Sequence, residues 1–364
     1  MKNNTRITAG IMSLMLAFGA GTSVVNTNFN VPLSVMAASA ETLTSGAFSY
    51  EVLEDDTIKI TGFDDSVTEV EIPAEIDGKK VTAIGNKAFY NAEITSVNIS
   101  AGVTSIGDRV FYKCPNLVSV AIPDGVVSIG HSAFYECRKL DSISIPDSVT
   151  KMGDYCFYNC TSLKSARLSE SLTELPGDTF YNCSLLSALV IPDNIQTIRG
   201  EACYGCKNLK SVSLGKNLQK IDDNAFWDCI SLKSITVPEY VTYIGFSAFN
   251  KCESLNELII MNQVCSIAGG SNLPKTCIIY GYEGSTAQKY AEKIGNPFEV
   301  IGASNIIKGD INNNGIVNLA DIVILNKFLI GYDVTVSDWK TIDINDDKVV
   351  DVFDLCLMRK MLTE

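Results

Sequence analysis

Between about residues 75 and 260 the apolar positions recur every 23 residues and follow no helical rhythm. In one unit Val120 and Ile122 alternate with Ser119 and Ala121, a period of two that turns one face of a short strand inward and the other outward. Pro123 ends that strand because it has no N–H to give to a ladder. Val126 and Ile129-Gly130 follow; the Ile-Gly pair turns the chain, and Ala133-Phe134-Tyr135 returns it to close one coil. The same order reappears as Leu140, Ile143, Ile145-Pro146, Val149 and Met152-Gly153. An aromatic pair marks each unit at Phe111-Tyr112, Phe134-Tyr135, Phe157-Tyr158, Phe180-Tyr181 and Phe226-Trp227, with Phe89-Tyr90 upstream and Phe249 downstream. Eight units can be counted. One such coil cannot bury its own apolar face, so each is stabilised by stacking on its neighbours. The pattern predicts a right-handed or curved solenoid with parallel strands along one side.

The flanks differ from the repeats. Residues 1–40 carry Lys2 and Arg6, an apolar stretch over residues 7–20, and Ala38-Ser39-Ala40 ahead of Glu41. That order is a secretory signal, and the stretch is too short and too rich in Gly and Ser for a comfortable membrane span. Later segments stay below about 18 unbroken apolar residues, so no membrane contact is expected after signal cleavage. Residues 41–74 hold Phe48-Ser49-Tyr50 and Thr57-Ile58-Lys59-Ile60, which alternate like strands of an N-terminal cap. The repeats occupy 75–264. Over 265–303 the run from Gly281 to Gln288 leads into a short helix, as a C-terminal cap and linker would.

Seven of the twelve cysteines, Cys114, Cys137, Cys160, Cys183, Cys206, Cys229 and Cys252, fall at one place in the repeat. An odd number in one column reads as small buried hydrophobes with free thiols, the alternative being bridges between adjacent coils. Cys203 and Cys206 form a C-x-x-C, but Cys203 stands where other units have Phe, which makes it a core residue before a redox one.

The pattern I-P-x-x-V-x-x-I-G-x-x-A-F-x-x-C from Ile122 to Cys137 resembles the BspA-like leucine-rich repeats of bacterial surface and secreted proteins. The resemblance implies an α/β-class leucine-rich-repeat solenoid of 23-residue coils with caps, used for adhesion or protein contact. The outward strand column, Asn98, Ala121, Ser144, Arg167, Val190, Ser213, Thr236 and Ile259, is varied and lacks aromatics. A glycan platform wants stacking rings, for which Tyr112, Tyr135, Tyr158, Tyr181, Tyr204 and Trp227 are the candidates. The competing reading has these rings cover the edges of stacked coils.

From Gly309 onward the repeat gives way to acidic, Asn-rich sequence. Asp310, Asn312, Asn314, Asn318 and Asp321 occupy positions 1, 3, 5, 9 and 12 of a loop with Gly315 at position 6 and the Ile316 carbonyl at position 7. A hard cation takes six to eight oxygens, and a tight loop supplies them by aiming alternate side chains inward. Asp343, Asn345, Asp347, Asp351 and Asp354, with the Val349 carbonyl, repeat the constellation 33 residues later. Two calcium ions are expected. Lys348 replaces the usual Gly of the second loop, at a cost of about 1 kcal/mol if the backbone is left-handed there. Four carboxylates at its ligand positions, Asp343, Asp347, Asp351 and Asp354, against two in the first loop, compensate. Apolar-periodic stretches over 322–329 and 355–362 predict a helix after each loop, and there is no convincing helix ahead of the first.

A duplicated calcium loop and helix, here residues 304–364, resembles a type I dockerin, a small α-helical module. The resemblance implies a cohesin partner on a scaffoldin and a cellulosome-type assembly. In that family recognition lies at loop positions 10 and 11 and soon after on the helices. Here those are Leu319, Ala320, Val352 and Phe353, with Asn326, Lys327, Arg359 and Lys360 beyond. The apolar 10/11 pairs imply a hydrophobic contact rimmed by basic charge.

With 29 basic against 42 acidic side chains the net charge is −13, which excludes nucleic acid as a natural partner. Dockerins often carry hydrolases, so an enzyme or inhibitor acting on plant polysaccharide or protein is the competing reading. The one histidine, His131, lies in no Ser-Asp context, and a regular solenoid gives no reason for a pair of carboxylates across a cleft. No catalytic residue is expected.

Overall fold

The computed structural model describes residues 42–301, 308–312, 317–332, 334, 336, 339–345, 347 and 349–363. The expected signal segment, and Asn314, Gly315, Ile316 and Lys348 of the expected calcium loops, lie outside the described residues.

The repeats form a solenoid whose coils lie in parallel register. One ladder is the strand expected from the period-two alternation: Ser96–Ile99 pairs with Ser119–Ala121, Ser142–Ser144 with Ser165–Arg167, and Ser234–Val237 with Glu257–Ile260. A second ladder, absent from the expectation of strands along one side, runs through the Ile-Gly segments. Ser105–Ile106, Ser128–Ile129 and Lys151–Met152 pair in parallel, as do Glu174–Leu175 through Ser266–Ile267. Two-residue strands are too short to show alternation, so the Ile-Gly pair looks like a simple turn in sequence. Gly130 N donating to Ile106 O at 2.8 Å keeps the ladder continuous just past the strand.

The third face holds the returning Ala-Phe-Tyr segments. Two residues per coil, such as Ser132 and Glu136 or Tyr155 and Asn159, adopt positive φ near 55–60°. Each costs about 1 kcal/mol for a residue with a Cβ. Hydrogen bonds to the next coil offset this: Ser132 N to Asp154 O, Phe134 N to Cys156 O and Glu136 N to Tyr158 O, at 2.7–2.9 Å. At about 1 kcal/mol net for each bond the strip is at least balanced.

Inside, Phe89, Phe111, Phe134, Phe157 and Phe180 stack at centroid distances of 5.2–5.6 Å and are fully buried or nearly so. Cys203 interrupts the column, and Phe226 and Phe249 resume it at 5.7 Å. Beside them the cysteine column is buried and unbridged. The thiol of Cys137 donates to Phe111 O at 3.0 Å, and Cys114, Cys160, Cys183 and Cys206 do the same to the corresponding Phe carbonyl. Each of these carbonyls also accepts a backbone N–H, as Phe134 O does from Cys137 N at 3.2 Å, so the thiol fills the second lone pair of a buried acceptor.

Both ends are covered. The antiparallel strands Phe48–Val52 and Ile58–Phe63 put Phe48 and Phe63 against Phe89. At the other end helix α1, Thr286–Ile294, is capped by Ser285 and by left-handed Gly295 and buries Ala287, Tyr290 and Ala291. Phe298–Val300 then pairs in parallel with Ile278–Gly281.

A separate small core, Ile311, Leu325, Ile342, Leu355 and Met358, belongs to the C-terminal module. Its helices are α2, Leu319–Leu329, α3, Trp339–Ile342, and α4, Val352–Met361, with α2 packed on α4.

Candidate metal centre and docking face

In each loop the residue at position 12 organises the backbone. Asp321 Oδ1 accepts from the N–H groups of Ile311 and Asn312 at 3.0 and 3.1 Å, and its Oδ2 accepts from Asn318 N at 3.0 Å. Asp354 repeats this 33 residues on, with Ile344 N at 2.7 Å, Asn345 N at 3.4 Å and Asp351 N at 2.9 Å. Position 9 caps the following helix: Asn318 accepts from Ala320 N at 2.8 Å and Asp351 from Phe353 N at 2.7 Å. Together positions 9 and 12 make a capping box at each helix start. That is why both helices begin three residues before the apolar periodicity does.

Asp310, Asp321, Asp343 and Asp354 are exposed by only 3, 0, 1 and 0%. Positions 1 and 12 of both loops thus take carboxylates out of water, which is costly without a compensating charge. Asn312 and Asn345 lie at the loop surface, and Asn345 Nδ2 donates to Asp347 Oδ2 at 2.7 Å. Asp347 Oδ1 accepts from Val349 N at 2.8 Å. Among the described residues no three His, Cys, Asp or Glu side chains converge on one point. The donors present are all oxygen, and two buried carboxylates per loop suit a hard divalent cation. Gly309 precedes the first loop at φ +93°, where a Cβ would meet Val317 Cγ1 at 2.9 Å. Its N–H donates to Thr341 O at 2.8 Å, and Lys308 Nζ donates to Asp343 O, so each half is tied to the other.

The eight residues expected at the docking face are all exposed: Leu319, Ala320, Asn326 and Lys327 on α2, and Val352, Phe353, Arg359 and Lys360 on α4. Leu319 and Phe353 expose 73 and 67% of their surface, and neither they nor Val352 joins the module's core. Val323, Phe328 and Ile330 extend the apolar exposure, a contribution hidden in sequence by the helical periodicity that also marks core positions. The short helix α3 was equally unmarked, and it carries Ile342 into the core.

On the solenoid, the ring candidates form a stack of their own. Tyr90, Tyr112, Tyr135, Tyr158, Tyr181 and Tyr204 lie 4.4–5.1 Å apart with planes within 10°, and Trp227 follows at 5.8 Å. Their faces are taken up by one another, so the row covers coil edges and leaves no stacking surface along its length for a sugar. The C-x-x-C thiols are buried; hydrogen bonding to Cys206 and then burial hold Cys203 well above the usual thiol range. Burial pushes Cys156 up to about 12. Neither is poised as a nucleophile. His131 packs edge-on against Tyr155 at 5.1 Å. Asp178 is pushed up to about 6 by burial and then by Glu201 and Asp154, which sit on neighbouring coils of the same turn strip. Among the described residues no helix is long and apolar enough to cross a membrane.

Comparison with known proteins accounts for both regions. The BspA type Leucine rich repeat region matches in six copies over residues 82–199 and 173–276, and the Dockerin type I domain matches residues 308–363. No curated protein matches the chain. The fold is similar to a leucine-rich repeat protein from Bacteroides ovatus, at TM-score 0.52 and 24% identity over 71% of this chain and 76% of that one. A T. pallidum leucine-rich repeat protein, TpLRR, aligns at TM-score 0.49 and 24% identity over 71% of this chain and 98% of its own. The likeness to the Bacteroides ovatus protein speaks to the fold alone. Type I dockerin domains bind calcium and point to a cohesin partner, while a leucine-rich solenoid points to protein binding, and neither matched domain is catalytic. By the extent of the repeat match the chain belongs to the BspA-type leucine-rich-repeat proteins, and it carries a type I dockerin domain.

Proposed function

We propose that the protein is exported and docks through its calcium-loaded C-terminal module onto a cohesin of a scaffoldin. The solenoid is the ligand-bearing half, displayed as an adhesion or binding module in an assembly that breaks down polysaccharide. Two calcium ions fill the loops. Asp310, Asn312, Asn314, Asn318 and Asp321 with the Ile316 carbonyl hold one. Asp343, Asn345, Asp347, Asp351 and Asp354 with the Val349 carbonyl hold the other. Leu319, Ala320, Val352 and Phe353 form the apolar centre of the docking face, with Asn326, Lys327, Arg359 and Lys360 on its rim.

The observation that carries this reading is the duplicated loop-to-helix unit, whose four buried carboxylates are matched pairwise across 33 residues. Titration of the whole protein against a panel of type I cohesins, with calcium and with chelator, tests it. Tight binding to one cohesin that chelator abolishes is expected. Absence of binding to every cohesin, with both loops shown to hold calcium, would sink the docking role.

A further inference from the structure

Three consecutive coils of the second ladder carry side chains that the fold does not require. In each coil one apolar residue points inward, Ile195, Leu218 or Val241, and each is fully buried. The residues on either side of it point outward: Asn194 and Gln196, Asn217 and Gln219, Tyr240 and Thr242. These six line an open groove of about 400 Å³. Parallel pairing of Lys220 with Thr197 on one side and Tyr243 on the other keeps the coils in register. Like groups therefore recur at the inter-strand spacing of about 4.8 Å. Earlier coils hold Gly102 and Thr104, Gly125 and Val127, Ser148 and Thr150, and Ser171 and Thr173 at these positions. They form the same coil with short side chains, so packing does not explain the long amides and the phenol ring.

The lining narrows the ligand. The six lining residues carry no charge, although the chain carries −13; on the rim Asp193 and Lys216 pair with each other at 2.7 Å, and the exposed Glu239 stands beside Tyr240. Carboxamides present a donor and an acceptor side by side, which matches neighbouring hydroxyls on one sugar ring. Asn194 is already oriented, because its Nδ2 donates to Glu170 O at 2.6 Å. Among the described residues no ring packs on Tyr240, which is 56% exposed, so its face is open to the apolar side of a pyranose. A peptide would want apolar side-chain pockets or an unpaired sheet edge, and the central strand here is paired on both sides.

We infer that the groove across these three coils binds a neutral oligosaccharide segment, with the amide rows reading ring hydroxyls and Tyr240 stacking on a ring face. This rests on the solenoid being the ligand-bearing half of the protein. The test is affinity electrophoresis of the full chain in gels containing β-glucan, xyloglucan, arabinoxylan or galactomannan, with polygalacturonate as the charged polymer. The variant N217S/Q219T/Y240S replaces three lining residues with types that other coils use, and an unchanged melting temperature shows that it folds. Retardation by at least one neutral polymer is expected, weakened about tenfold or more in the variant. No retardation by any neutral polymer, equal retardation of the variant, or retardation by polygalacturonate alone overturns the inference. A protein ligand lost in the variant, with no polymer bound, overturns it as well. Cohesin binding measured on the same two proteins separates this outcome from a failure of the docking role.

Discussion

The two regions of this chain solve the problem of stability in opposite ways. The solenoid buries a continuous apolar column, stacks Phe on Phe from coil to coil, and uses thiols as small donors to buried carbonyls. Among its described residues the ion pairs lie at the surface, where each contributes little. Among its described residues the C-terminal module has five buried apolar side chains and, beside them, four buried carboxylates. A core of that kind suits a small domain whose stability a bound metal would complete. Repetition makes one region self-sufficient, and in the proposed reading the other is completed by an ion.

Removing calcium is the strongest challenge to that contrast. With chelator, backbone amides of α2 and α4 should exchange with solvent as in an unfolded chain, while amides of the solenoid ladders keep their protection; equal protection in both regions would break the comparison. A smaller effect is expected from Asp354→Ala, which leaves three loop N–H groups without their acceptor and removes half of a capping box. It should lower the module's stability by about 2–4 kcal/mol in denaturant unfolding. The solenoid's transition should not move.

The smallest effect lies in the solenoid's one strongly shifted acid. Asp178 titrates near 6 when folded, against an ordinary value of 3.8, so the fold favours its protonated form. Its ionisation penalises the fold, the penalty being absent below about pH 4 and developing through pH 4 to 6. Asp178→Asn should therefore raise the solenoid's melting temperature slightly at pH 7 and leave it unchanged at pH 4. An equal gain at both values would refute the electrostatic cause.

Periodicity made much of this legible. The Phe and Cys columns announce themselves because every coil repeats the same demand for volume and for a donor at the same place. The calcium loops are readable because oxygen ligands at fixed spacing serve few other purposes, and because they occur twice. The left-handed positions were hidden, since Lys87, Arg109, Ser132 and Tyr155 adopt a conformation that sequence normally signals with Gly or Asn. The other left-handed column, with Asn91, Asn159, Asn182 and Gly205, carries that signal more often, whereas the first has it at Asn224. The groove amides were hidden for another reason: Asn and Gln beside a turn look like ordinary solvated surface until stacking aligns them. The proposed docking residues came through family resemblance alone, and their exposure became visible only with the helices in place.

The tyrosine row also has an optical consequence. Parallel rings this close couple their electronic transitions, so ultraviolet energy absorbed by any one of them passes along the solenoid. Trp227 ends the row at 5.8 Å from Tyr204, and its indole has the lower excited state. The row should thus collect light over six coils and pass it to Trp227, and any slip between coils along the way should raise tyrosine emission.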